Sequence, residues 1–288
     1  MKLVSFRHLG KESFGVANDR GVLDMGPYSS DVGATLREAL ARNSLAAIES
    51  IAEGTHSLLR WDEIELLPVI PDPQKILCVG INYLTHVQET GREVPTKPMF
   101  FTRFADSQTA HGGPIVRPIA SEKLDFEGEL AVVIGRAARH VKAANAFEYV
   151  AGYACYNDGS VRDWQKHTIQ FTPGKNFPST GGFGPWLVTS DEVGDPSALS
   201  LVTRLNGEVV QQATTDDLIF DVPALIEYCS TFTELRPGDV IITGTTGGVG
   251  AFRQPPLWMK AGDIVEVEIS KIGVLRNVVI DETDASCD

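Results

Sequence analysis

Asp125, Glu127 and Glu129 occupy alternate positions of KLDFEGELAVVIG, residues 123–135, just before the wholly apolar run from Leu130 to Ile134. Alternate side chains of an extended chain share a face, so the three carboxylates would sit side by side, repelling one another and losing hydration. One reading is a solvated stripe, where charge usually lies. The other is a cation site. A second apolar run, VAGYACYNDGSVRDWQ, ends in Asp158, which taken alone reads more simply as a helix N-cap. Together, two carboxylates from one strand and one from the end of another make an oxygen-rich site for a hard dication. Mg²⁺ prefers octahedral oxygen ligands at about 2.0–2.1 Å and keeps several waters, which leaves positions for a chelating substrate. Cys/His ligand spacing is absent, which argues against zinc.

Acid–base chemistry has a candidate in VGINYLTHVQETG, residues 79–91. On a helix, His86 and Glu89 share a face, and the carboxylate can orient the imidazole and raise its basicity. An exposed, incidental helix pair is the plainer alternative. Gly80 and Gly91 bracket the segment, as for a mobile lid. Lys175 lies in FTPGKNFPSTGGFGP, too rich in Gly and Pro for helix or strand; it is a solvated loop lysine or a partner for an anion or enolate. Arg162 and Gln165, just after Asp158, are spaced to face the same site. IITGTTGGVG, residues 241–250, lacks the following Lys-Ser/Thr of a phosphate loop and the GxGxxG order. Backbone N–H groups and the Thr245 hydroxyl contacting a carboxylate suit it better.

The elements that must position these groups are mostly strands. In the first 67 residues KLVSF and SFGVA read as strands, NDRG between Ala17 and Val22 reads as a hairpin-type turn, and residues 35–53 have helical periodicity. Three prolines between Pro68 and Pro73 mark a connector, dividing a small N-terminal module, 1–67, from a larger domain, 68–288. In the larger part KILCVG, MFFTRF, ELAVVIG, VAGYACYN, GPWLVT, DVIITG, DIVEVEI and GVLRNVV read as strands. VTRLNGEVVQQ reads as a hairpin on a type I′ Asn206-Gly207 turn. Helical candidates are NYLTHVQETG, AANAFEYV, SVRDWQKHT and DVPALIEYCSTFTEL. The result is an α+β fold, mainly β.

Composition narrows the partners. With 38 acidic and 25 basic residues the formal net charge is −13, which argues against nucleic acid but allows a small anion where local cations or a metal invert the field. MKLVSFRHLGKESFG lacks the apolar core of a signal peptide, and no stretch is long enough to span a bilayer. Cys78, Cys155, Cys229 and Cys287 are scattered, without a CxxC pair. They read as reduced thiols, and a cytoplasmic protein is expected.

From about Lys75 to Val279 the ordered set GINYLTHVQE, DFEGELAVVIG, GYACYNDGSVRDWQ, FTPGKNFPSTGGFGPWL, LNGEVVQ and LRPGDVIITGTTGGVG resembles the fumarylacetoacetate hydrolase family. The resemblance implies a mixed β-sandwich roll, a carboxylate-bound Mg²⁺ or Mn²⁺, a homodimer, and a small anionic 2-oxo acid or 1,3-diketo acid that is cleaved, decarboxylated or isomerised. It makes Glu127, Glu129 and Asp158 the metal ligands, His86 and Glu89 the catalytic pair, and Lys175 the lysine near the substrate. Arg162, Gln165 and Thr245 become substrate contacts, and Asp125 supports the ligands. The chain departs from the pattern at NDGSVRD, at Thr245-Thr246, in NFPSTGGF after Lys175, and in carrying Arg103 where a lysine is frequent. The expected reaction is hydrolysis of a C–C bond in an acylpyruvate. Decarboxylation of an oxaloacetate-like acid and isomerisation or hydration of a dienoate are the alternatives on the same site. A metal-dependent ligand sensor is the non-enzymatic one.

Overall fold

The computed structural model describes residues 1–54 and 57–283; Cys287 lies outside them. Eleven strands form one large sheet. Its central order is Lys2–His8, Gly181–Thr189, Val150–Asp158, Gly128–Ile134, Val240–Thr245, Ile76–Gly80 and Met99–Arg103. Lys11–Asn18 and Gly21–Asp24 extend it beyond Lys2–His8, so the N-terminal hairpin continues the same sheet through Leu3 opposite Leu187. A second, five-stranded sheet comprises Glu208–Thr214, Ser200–Leu205, Ile264–Ile269, Gly273–Asp281 and Pro114–Arg117.

The unbroken apolar run after Glu129 follows from burial of the large sheet on both faces. Leu130, Val132 and Ile134 pack with Leu201, Val267 and Leu275 of the second sheet and with Leu225 and Cys229 of the helix Val222–Phe232. The intervening Ala131 and Val133 pack against Leu36, Leu40 and Ile48 of the N-terminal helices. An alternating strand serves two cores, so both of its faces are apolar. The mainly β, α+β architecture is as the sequence implies.

Several local expectations change. The helical stretch 35–53 is two helices, Leu36–Ala41 and Leu45–Gly54, because Asn43 takes a left-handed φ of 57°, which Asn tolerates better than most residues. AANAFEYV is a 3₁₀ segment, Ala143–Tyr149, and only Arg162–Gln165 of SVRDWQKHT is helical. The Gly/Pro-rich loop contains one helical turn, Thr172–Lys175, with Pro173 in its first turn where no N–H is needed. The strand Gly181–Thr189 begins before the GPWLVT segment. The Asn206-Gly207 turn has both φ values positive, 54° and 83°, as a type I′ hairpin requires. Strands Gln108–Ala110 and Pro114–Arg117 carry too little alternation to be visible in the sequence.

Candidate active site

Asp125 and Glu129 do not share one strand. Leu124–Asp125 pairs with Ser160–Val161 in a separate two-stranded sheet, whereas Glu129 lies in Gly128–Ile134 of the large one. The chain changes sheets at Phe126-Glu127, which corrects the single-face picture. All three carboxylates are buried, as is Asp158, so a solvated stripe is excluded. Asp158 ends its strand, and its backbone N–H donates to the Glu127 carbonyl at 2.8 Å. One carboxylate oxygen from each of Glu127, Glu129 and Asp158 can be chosen so that all lie within 4.8 Å of one another.

Four buried carboxylates meet three buried cations here. Arg162 Nε binds Asp125 at 2.8 Å and its Nη1 reaches Glu127 Oε1 at 2.7 Å. Lys175 Nζ lies 2.6 Å from both Glu127 Oε2 and Asp158 Oδ2. Arg103 Nη1 donates to Asp158 Oδ1 at 2.6 Å, and the rest of its guanidinium is used on Ser107, Gly159 and Thr180. Arg103 is therefore a fully bonded clamp on Asp158, a task for a rigid five-donor fork more than for an ammonium. Lys175 is 1 % exposed, not solvated.

Glu129 is the exception, with no ion pair among the described residues. Its Oε2 accepts one hydrogen bond, from the Gly244 N–H at 2.6 Å. Burial, then the charges of Asp158 and Glu127, push its carboxyl well above its ordinary range. Burial also acts on Glu127, but Arg162 and Lys175 outweigh it and hold that carboxyl at about 2. The residues present fit a hard dication: one carboxylate lacks a counter-charge, and the other two keep lone pairs beyond those given to their cations. Glu127, Glu129 and Asp158 would hold it.

The 241–250 loop does direct backbone N–H groups at carboxylates, but at the protein's own. Gly244 donates to Glu129, Gly248 to Glu89 at 2.9 Å, and Gly250 and Ala251 to Asp125 at 2.8 and 2.9 Å. The Thr245 hydroxyl donates to the Gly128 carbonyl at 3.1 Å and accepts from Gln211 at 2.8 Å, so its bonds within the protein are to a carbonyl and an amide. A Cβ added at Gly250 would lie 1.8 Å from the Leu257 carbonyl oxygen and 2.6 Å from Asp125 Oδ1. Gly250→Ala is expected to cost about 1–3 kcal/mol, as overpacking does, and to loosen the Asp125–Arg162–Glu127 chain. A lowered thermal midpoint together with weaker Mg²⁺ binding checks this; an unchanged melt would mean that the loop yields freely.

His86 and Glu89 lie on the helix Leu84–Thr90, with His86 Nδ1 3.1 Å from Glu89 Oε2. The helix is bonded through Thr85 to Asp217 and Thr246 and through Glu89 to Gly248, and Asn82, just before it, bonds Thr243 and Phe220. His86, Glu127, Glu129, Arg162, Lys175 and Thr245 line one cavity of ≈ 90 Å³, which Gln165 also reaches.

The family model for the fumarylacetoacetate (FAA) hydrolase C-terminal domain matches residues 75–280. The chain belongs to the fumarylacetoacetate hydrolase family. Human oxaloacetate tautomerase FAHD2B, mitochondrial, is 38 % identical over 291 residues, covering 97 % of this chain and 92 % of that protein. The fumarylacetoacetate hydrolase structure from psychrophilic Exiguobacterium antarcticum superposes with a TM-score of 0.87 at 34 % identity, covering 98 % of this chain and all of that one. Maleylpyruvate hydrolase from Sphingobium sp. SYK-6, solved with manganese(II) and pyruvate, gives 0.82 at 26 % identity, with 98 % and 100 % covered. This is an enzyme family of hydrolases and isomerases, and its fold is the one found here.

Sequence reasoning missed three parts of this family member's site. Gln211 ties Gly128, Thr245 and Thr246 together, Asn82 anchors the helix bearing His86, and Asp217 holds Thr85. Gln211 lies in the quoted hairpin, but only the packing of that hairpin on the Gly128 strand makes it part of the site.

Proposed function

We propose that this protein is a metal-dependent enzyme that moves a proton on a small 2-oxo acid, interconverting keto and enol forms of an oxaloacetate-like substrate. The observation that carries the reading is His86, bonded to Glu89, lining the same cavity as Glu127 and Glu129. The 38 % identity to an oxaloacetate tautomerase over 97 % of the chain supports this reaction ahead of the C–C hydrolysis expected from sequence.

Glu127, Glu129 and Asp158 would hold a Mg²⁺ or Mn²⁺, which would supply Lewis-acid polarisation to the substrate's keto group. Glu89 Oε2 accepts a hydrogen bond from His86 Nδ1–H and so leaves Nε2 with the lone pair that can take a proton. His86 takes a proton from the carbon beside the keto group and returns it to that oxygen, so one C–H bond breaks and one O–H bond forms. Lys175 gives two N–H groups to Glu127 and Asp158; its third stands for the oxygen on which negative charge develops. The unused Arg162 Nη2, buried and without a protein partner, fits the substrate's carboxylate, with Gln165 beside it. Thr245 contributes chiefly by shaping the wall.

The second reading, hydrolysis of an acylpyruvate, uses the same base on a water and draws support from the maleylpyruvate hydrolase likeness. One assay separates them. With Mg²⁺, the enol absorbance of oxaloacetate should decay faster than in buffer, with no pyruvate formed, and chelator should abolish the effect. Cleavage of acylpyruvates with no effect on the enol would favour hydrolysis. Buried free Cys78, Cys155 and Cys229 suit a reducing compartment, cytoplasm or mitochondrion. No described helix is long and apolar enough to cross a membrane. We also infer the homodimer that the family implies, which light scattering reads directly.

A further inference from the structure

The helix Leu84–Thr90, which carries His86, does not cap itself. Its seven residues are too few to hold a helix in water on propensity alone. Its N-cap is Tyr83, whose side chain makes no capping bond. An N-cap oxygen ordinarily accepts from the N–H two or three positions on, and here that acceptor comes from another element. Asp217 Oδ2 accepts from the Thr85 N–H at 3.1 Å and from the Thr85 hydroxyl at 2.7 Å. A carboxylate only accepts, so the Thr85 hydroxyl proton is committed to it. The 3.1 Å contact between the Thr85 and Thr246 hydroxyls is then donated by Thr246. Thr246 is buried and belongs to one of the places where the chain departs from its family's pattern.

Asp217 is itself held. It ends the turn Thr215–Asp217, where the buried Thr215 hydroxyl donates to the Pro196 carbonyl at 2.6 Å and accepts from the Leu199 N–H at 2.9 Å. The residues after it lie along the entry to the helix: Leu218 bridges Tyr83, and the Ile219 N–H donates to the Asn82 carbonyl at 2.8 Å. The fixed point therefore lies in the connection out of the second sheet, and the residue it fixes is the one before His86. The cavity is lined by His86 but by none of Asp217, Thr85 and Thr246.

We propose, given His86 as the base, that Asp217 is a positioning residue for it. A cap supplied from outside the helix, acting through Thr85 and steadied by Thr246, sets the fraction of molecules whose imidazole faces the substrate. Without that carboxylate the first turn frays, and His86 leaves the cavity wall with it. Losing a cap shifts a helix's balance roughly 2- to 30-fold, and in a two-turn helix close to balance the shift passes into turnover.

The test compares wild type, Asp217→Ala, Asp217→Asn and Thr246→Val as full-length, Mg²⁺-loaded protein, by turnover in the enol assay and by amide hydrogen exchange. In Asp217→Ala the amides of Leu84–Thr90 should exchange roughly 2- to 30-fold faster, while those of Gly128–Ile134 keep their protection. Turnover, read as kcat, should fall by a similar factor, with KM and Mg²⁺ affinity unchanged. Asp217→Asn retains an oxygen acceptor and should recover most of kcat, and Thr246→Val should lose less than Asp217→Ala. Added to His86→Ala, Asp217→Ala should cost nothing more, because it acts through that ring. Wild-type kcat in Asp217→Ala overturns the proposal. So does a loss that persists undiminished in the His86→Ala background, or faster exchange spread across the large sheet. If His86→Ala itself leaves turnover intact while the helix still exchanges faster in Asp217→Ala, the base assignment falls and the hold on the helix stands.

Discussion

Glu129→Gln is expected to lower metal-dependent turnover about 1,000-fold or more, the loss of several kcal/mol that a misplaced Lewis acid represents, while the fold survives. The substitution preserves shape and keeps an oxygen to accept the Gly244 N–H. It removes the one carboxylate of the cluster that has no cation in contact, hence the charge a dication would neutralise. Stability of the metal-free protein should move the other way. The Glu129 carboxyl lies well above its ordinary 4.5 because it is buried and faces Asp158 and Glu127. Between the unfolded and folded values the native state holds a proton that the unfolded chain has released, so stability falls as pH rises through that window. The Gln variant lacks this penalty. Thermal midpoints of chelated protein should therefore decline from pH 5 towards neutrality more steeply in wild type than in Glu129→Gln, and Mg²⁺ should bind wild type more tightly as pH rises. Undiminished turnover by the variant would refute the metal assignment.

His86→Ala should cost about 10²–10⁴-fold in turnover, the usual worth of a positioned general base, with Mg²⁺ affinity little changed. The ring sits edge-on to Phe252 with centroids 6.1 Å apart and bonds to Glu89, so its removal takes away the base without touching a carboxylate of the cluster. Glu89→Gln should give a smaller loss, because the imidazole keeps a hydrogen-bond partner but loses the carboxylate that holds its ring orientation and tautomer. Metal-dependent enol decay should be suppressed in His86→Ala, as should acylpyruvate cleavage under the hydrolytic reading, since either reaction uses this base. If enol decay persists at the wild-type rate with Mg²⁺ present, another group is the base.

Much of the site was visible as residue type and order. Glu127 and Glu129 draw attention as acids entering an apolar strand, whereas Asp158 and the His86–Glu89 pair, each commonplace alone, gain weight only from the ordered set of motifs around them. Lys175 was harder to read. A Gly/Pro-rich loop suggests solvent, yet the turn Thr172–Lys175 carries the ammonium inward to two carboxylates. Asp125 looked like a neighbour of Glu129 because both have the same strand parity. A change of sheet at Phe126-Glu127, which no periodicity marks, sends it to Arg162 and the Gly250 N–H.

The sequence by itself determined the mainly β class, the carboxylate-rich chemistry and the family, since alternation, turn residues and ordered motifs are local properties of a chain. Tertiary structure alone decided which charges meet. Arg103 on Asp158, Arg162 between Asp125 and Glu127, and Glu129 left without a cation are separated by tens of residues in the chain and joined by sheet pairing. Electrostatic pairing depends on distance in space and on burial, and strand order in a sheet of long-range connections sets both.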